Sequence, residues 1–214
     1  LLDEIEALER SNYTSNTLAG NIYFLQARHL DRQREEGRRT LSEEGVNGDP
    51  QRLELEARLA TLSKEIETKV ADAFLTFQEV IQLNPDHVAS RQGLLVLAMF
   101  RGQRPEVVEE VSVLQRLTPS DPMLKFAEAW TLASSDAAQA YALLTEAQSA
   151  GYASMEADRL WAQILIELRK WEELDVWLSG AQELKRLPAW ELERLVAVAD
   201  QLQEAEATLA KAKQ

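Results

Sequence analysis

Two histidines, His29 and His87, are the only imidazoles in the 214 residues, and they stand 58 positions apart. A general base or a metal ligand needs a partner held within bonding reach. No His-x-x-x-His pair supplies one, and the chain has neither a phosphate-cradling glycine-rich loop nor a dinucleotide fingerprint. With no cysteine there is no thiolate nucleophile, no thiolate metal site and no disulfide framework. His29 continues the apolar step of Ile22 and Leu25 and reads as a packing or interfacial residue, whereas His87, after Asn84, Pro85 and Asp86, reads as an exposed turn residue. The acidic pairs Glu109–Glu110 and Glu172–Glu173 could in principle divide acid and base roles. Both fall in the first turns of predicted helices, where negative charge meets the helix dipole favourably and a structural role suffices. The residues therefore read as non-catalytic, with no cofactor and no metal.

The elements that carry these residues are helical. Hydrophobic residues make up 45% and charged residues 28%, which is a globular balance, while eight Gly and six Pro are too few turn signals for a many-stranded sheet. The formal charge of −13 makes phosphate backbones repulsive, so nucleic acid is excluded as a partner. The longest apolar run, Leu94 to Phe100, is far shorter than the roughly 18 to 20 residues that span a bilayer, so no direct membrane insertion is expected. The first residues lack the basic start and apolar segment of a secretion signal. A start at Leu1 rather than Met is compatible with a longer, membrane-anchored parent, and the compartment stays open between cytoplasm and periplasm.

A period organises the apolar residues. Ala73, Phe77 and Val80 share one helical face and Pro85 ends that helix; 34 positions later come Val107, Val111, Leu114 and Pro119. The face recurs at Ala140, Leu144, Ala147, at Leu174, Leu178, Ala181 and at Ala205, Leu209, Ala212, giving successive intervals of 34, 33, 34 and 31. Any amphipathic helix places apolar residues four and seven apart, so the informative features are the near-constant interval and the two prolines.

With these residues the sequence resembles the tetratricopeptide repeat family, whose unit of about 34 residues is a helix, a turn and a second helix. FQEVIQLNP is similar to the family's second-helix ending, and Gly102 falls at its inter-helix turn. LRKWEELDVWL and ADQLQEAEATLAKA resemble its turn followed by acidic and small residues, and TLAGNIYF resembles its first-helix signature. Two positions depart: the family's small residue near the middle of the first helix is Leu95 in one repeat and Glu193 in another. The third repeat carries Ser134, Ser135 and Asp136 at its turn in place of Gly. The resemblance implies an all-α fold, a right-handed superhelix of helix-turn-helix repeats with a concave face. It divides the chain into a helix over 1–12 that ends a preceding repeat, a first repeat over 13–87 and four further repeats over 88–214.

The first repeat is interrupted. Tyr23 and Ala73 lie fifty positions apart, against about nine in an ordinary unit of the family. Residues 27–69 read as two helices joined by the turn GVNGDP at 45–50. Leu55, Leu59, Leu62, Ile66, Val70, Ala73 and Phe77 step by fours and threes, a coiled-coil seam that runs into the repeat's own packing face. We expect a protruding antiparallel hairpin arm about 30 Å long. Its outgoing helix is charged with both signs, and Leu41 and Val46 near the tip are candidates for an apolar contact.

The family's concave face is lined by first helices. By register these are Thr17, Asn21 and Phe24, then Gln92, Val96, Met99 and Phe100, then Arg159, Gln163, Ile166 and Glu167, and finally Trp190, Arg194 and Val198. Some relatives hold chaperone carboxylates there through Asn and Lys; Val96, Met99 and Phe100 replace that polar set and imply an apolar, helix-in-groove partner. Of the five tryptophans, Trp161, Trp171 and Trp177 fall on packing faces, while Trp190 points to the groove with Arg194. The function expected is a protein-binding scaffold. The second reading is a structural assembly subunit whose arm and repeat ends build a homo-oligomer or a multi-protein machine.

Overall fold

A computed structural model describes the backbone of residues 2–43, 50–184 and 187–212 and the side chains of residues 13–42, 50–184 and 187–208. Among the described residues it is all-α, with nine helices and no strand. The expected turn at 45–49, with Val46, and the side chains of Leu209 and Ala212 lie outside the described residues. Two compact units divide the chain, Leu1–Leu117 and Thr118–Gln214.

The first unit holds α1 (Leu2–Glu43), α2 (Pro50–Leu83), α3 (Val88–Phe100) and α4 (Arg104–Leu117). No proline interrupts residues 2–43, and α1 runs unbroken through residues 12 and 13. It lies along α2 in the opposite direction: Gly20 meets Phe77, Ala27 clusters with Ile66 and Val70, and Gly37 meets Leu55 and Leu59. Leu62, Ile66, Val70, Ala73, Phe77 and Val80, spaced at helical intervals, form the buried edge of α2.

Phe77 fixes how closely three helices approach. Its side chain is fully buried, and a Cβ added at Gly20 or Gly93 would stand 2.6 or 2.5 Å from its ring. Only a residue without a side chain fits at either place. The small residue of α3 is thus Gly93, facing the preceding helix, while Leu95, where the repeat pattern places a small residue, is a fully buried core side chain. Polar groups buried here are satisfied: the Thr17 and Ser90 hydroxyls share a hydrogen bond of 3.1 Å. Arg91 on α3 donates from Nη1 to both carboxylate oxygens of Glu110 on α4 at 3.1 Å.

The second unit holds α5 (Pro122–Leu132), α6 (Ala137–Ser149), α7 (Met155–Glu167), α8 (Trp171–Glu183) and α9 (Ala189–Ala212). Three of these begin on side-chain caps: Asp121 accepts from the Met123 amide, Asp136 from Gln139 and Ser154 from Ala157. Helices α3, α5, α7 and α9 start at 88, 122, 155 and 189, steps of 34, 33 and 34. The second-helix triplets Val107, Val111, Leu114 and Ala140, Leu144, Ala147 are buried, as are Leu174 and Ala181.

The last repeat departs from the sequence expectation. Instead of two helices joined by a turn near residue 200, α9 is one helix of 24 residues. Residues 189–212 contain no Gly or Pro and are mostly Ala, Leu, Glu and Gln, so nothing in the segment interrupts the backbone hydrogen-bond ladder.

Candidate binding surface

The continued part of the α1–α2 pair leaves a crevice beside the C-terminal end of α3. It has a volume of about 890 Å³; its apolar floor is Ile66, Val70, Phe74, Leu75 and Phe100, and Asp31, Arg34, Glu67 and Arg101 stand around it. Ile66 and Val70 are buried, Phe74 and Phe100 half-buried, and Leu75 is 57% exposed. Phe100 meets Phe24 of α1 edge to face, with ring centroids 5.6 Å apart and planes at 87°. The Arg28 guanidinium lies 5.8 Å from the Phe24 centroid. Arg34 pairs with Asp31 and stands 3.7 Å from Glu35, yet its Nε–H is buried with no acceptor among the described residues. Apolar floor, aromatic edge and charges of both signs make a surface suited to an amphipathic helix or peptide, with rings for apolar anchors and arginines for carboxylates.

No family model matches this sequence, and no curated protein matches it.

The groove residues read from the sequence divide into several environments. Phe24 and Phe100 are in contact; Gln92, Val96 and Met99 are half-buried and Asn21 is exposed. Thr17 is not a groove residue, because its side chain is buried against Ser90. In the second unit, Arg159 is engaged by Glu191 of α9 through two hydrogen bonds of 2.6 and 2.9 Å. Gln163 and Glu167 are exposed, whereas Ile166 packs in the cluster of Ala162, Leu165 and Leu174 and belongs to the α7–α8 core. Trp190 is half-buried, and Arg194 and Val198 are exposed. Trp161 stacks on Tyr141 at 5.1 Å and, with Trp171 and Trp177, packs against that core cluster.

His29, read as a packing or interfacial residue, is exposed and hydrogen-bonds Gln33 at 3.0 Å, so it does not pack within the chain. His87 departs from its reading as an exposed turn residue. His87 is half-buried and caps α3, with Nδ1 accepting from the Ser90 amide at 3.3 Å and a ring contact to Tyr13 at 6.0 Å. Glu110 is no exposed dipole partner either: burial raises its pKa, against the opposing pull of the Arg91 hydrogen bond and charge. Glu173 remains at the surface, where hydrogen bonds from Lys170 and then Tyr141 lower its pKa. Among the described residues no group of three His, Asp or Glu side chains is placed to hold a metal ion, and no helix is long and apolar enough to cross a membrane.

Sequence reasoning named Phe100 but missed Phe74 and Leu75 of the crevice floor. The available signal was Leu75, an apolar residue that falls between the seam positions Ala73 and Phe77 and so has no place in the packing edge of α2.

Proposed function

We propose that this chain is a protein-binding scaffold of the tetratricopeptide type, in which the extended α1–α2 pair is a helical-hairpin arm and the crevice at its base receives an amphipathic helix or peptide. The observation that carries this reading is the set of apolar side chains left open at one place, Phe74, Leu75 and Phe100, beside Arg34 and Arg101. Binding energy at interfaces concentrates in such aromatic and arginine anchors. A non-catalytic role agrees with how the shifted titratable groups are used: Glu110, Lys170 and Glu173 each hold neighbouring side chains in ion pairs.

Affinity capture from a native extract, comparing the full chain with Phe100→Ala and Phe74→Ala, tests the proposal. Both variants should retain helical circular dichroism and lose a stoichiometric protein partner. Capture of the same proteins at the same yield by all three would contradict it. The second reading, a subunit of a larger assembly, is favoured by the exposed side chains of Ala205, Ala207 and Thr208 on α9.

A further inference from the structure

Helix α1 is apolar on two opposite sides. One side packs inside the first unit: Thr17 is buried against Ser90, Gly20 meets Phe77, Phe24 meets Phe100 and Ala27 lies in the core cluster. On the other, Leu18, Ile22 and Leu25 step by four and three and are 59, 46 and 61% exposed. A helix at a protein surface normally turns charged or polar residues outward. Here the outward face holds three large apolar side chains within about two turns. Their exposed neighbours Thr14, Ser15, Asn21 and Gln26 are uncharged.

Charge is absent from this stretch as a whole. Residues 11–27 contain no Asp, Glu, Lys or Arg, although such residues make up 28% of the chain. Loss of charged residues around exposed apolar side chains is the mark of an interface core. It also bears on which partner fits. A different protein drawn to a chain of net charge −13 brings basic groups for its carboxylates, and this face offers it none. A second copy carries the same net charge, so it can approach only where like charges do not meet.

We propose that two copies of this chain pair through this face of α1, antiparallel and about a twofold axis. The midpoint of α1 (Leu2–Glu43) falls between residues 22 and 23, inside the stripe, so antiparallel pairing there overlays the two helices along their whole length. Direction is set by Arg32, which is exposed and stands two turns beyond Leu25 on the same face. Parallel pairing would bring the two Arg32 side chains together, whereas antiparallel pairing sets each beside the uncharged residues 11–14 of the other copy. The crevice at the base of the arm is not part of this face, and the inference does not depend on it.

Light scattering of the 214-residue chain after size exclusion tests it, with an expected mass twice the 24.2 kDa of one chain. Ile22→Asp and Leu25→Asp each bring two carboxylates into the contact and should return the mass to a single chain while helical circular dichroism is retained. Val176→Asp, at an exposed position of the second unit, should leave the dimer intact. If either α1 variant loses helicity, Leu18→Lys takes its place. The direction has its own readout, because a chain without cysteine accepts one spin label at Ser42→Cys, an exposed site near the end of α1. That site lies about 20 residues from the midpoint, so at about 1.5 Å per residue the two labels should stand about 60 Å apart. A separation of roughly 20 Å, two helix widths, means parallel pairing and overturns the proposal. So does a monomeric parent chain, whether the face stays bare or is covered by another protein, and so does a dimer that survives both aspartate substitutions.

Discussion

The guanidinium of Arg91 presents Nη1 to both carboxylate oxygens of Glu110 at 3.1 Å, across the gap between α3 and α4. Arg91 also donates from Nε to the Pro85 carbonyl at 2.9 Å, so one side chain ties the end of α2 to the next helix pair. Removing it leaves a largely buried carboxylate without its charge partner. Arg91→Ala should cost about 1 to 3 kcal/mol in urea unfolding at neutral pH.

The pH dependence of that cost has a definite sign. Burial raises the Glu110 pKa above its ordinary value while Arg91 lowers it, so the pKa should rise further in the variant. A raised folded-state pKa contributes stability below the unfolded value, and that stability is lost as pH rises through the folded value. The deficit of Arg91→Ala should therefore shrink on acidification toward the unperturbed pKa of 4.5. A deficit that stays constant from neutral pH downward would show that Glu110 remains ionised in the variant.

Phe77 with Gly20 and Gly93 makes a second test. Phe77→Ala should cost about 3 to 5 kcal/mol, because the ring is fully buried between three helices. Gly93→Ala drives a methyl against that ring and should cost about 1 to 3 kcal/mol by overpacking. Combined with Phe77→Leu, the alanine should be better tolerated, so a double-mutant cycle should give a coupling of at least about 0.5 kcal/mol. Additive costs would mean that Gly93 is needed for reasons other than the contact.

The arm should be separable in its outer part, but not over nearly all of the 27–69 span read from the sequence. Leu30 and Ile66 belong to the Phe77 cluster, so replacing residues 29–67 by a turn would remove part of the core. Replacing residues 36–60 instead keeps that cluster and Leu62. This shorter deletion should leave the thermal midpoint nearly unchanged, and the longer one should lower it. Equal effects would place the stabilising packing farther out along the arm.

How much of this was legible depends on which interactions are local. Pro85 and Pro119, 34 positions apart, mark helix ends that recur in the structure, because proline ends a helix by local sterics. The step from Ala205 to Leu209 to Ala212 could not show whether a turn precedes it, since a continuous amphipathic helix has the same spacing as two helices joined in phase. The pairing of Arg159 with Glu191, 32 residues away, depends on the approach of α7 and α9, which no local pattern encodes. Gly93 was legible as a glycine but not as the partner of Phe77, because the family pattern directs attention to position 95. Phe100 was legible as an exposed apolar candidate, whereas Phe74 and Leu75 joined it only through the packing of α2 on α3.

Trp190 and Arg194, expected from the sequence to form one binding hot spot, give a further prediction. Trp190 is half-buried and Arg194 exposed, on the same side of α9 four residues apart. Trp190→Ala should weaken binding of a partner that uses this face by at least about 2 kcal/mol with little loss of stability. A strong drop in melting temperature with unchanged affinity would make Trp190 a packing residue.

The claim that this chain binds protein through the crevice at the base of the arm rests most directly on one affinity. For a partner captured by the full chain, titration calorimetry should give a dissociation constant at least about 30-fold weaker with Phe100→Ala, equivalent to about 2 kcal/mol, while the circular dichroism spectrum stays the same. An affinity unchanged within twofold, with the fold intact, would contradict it.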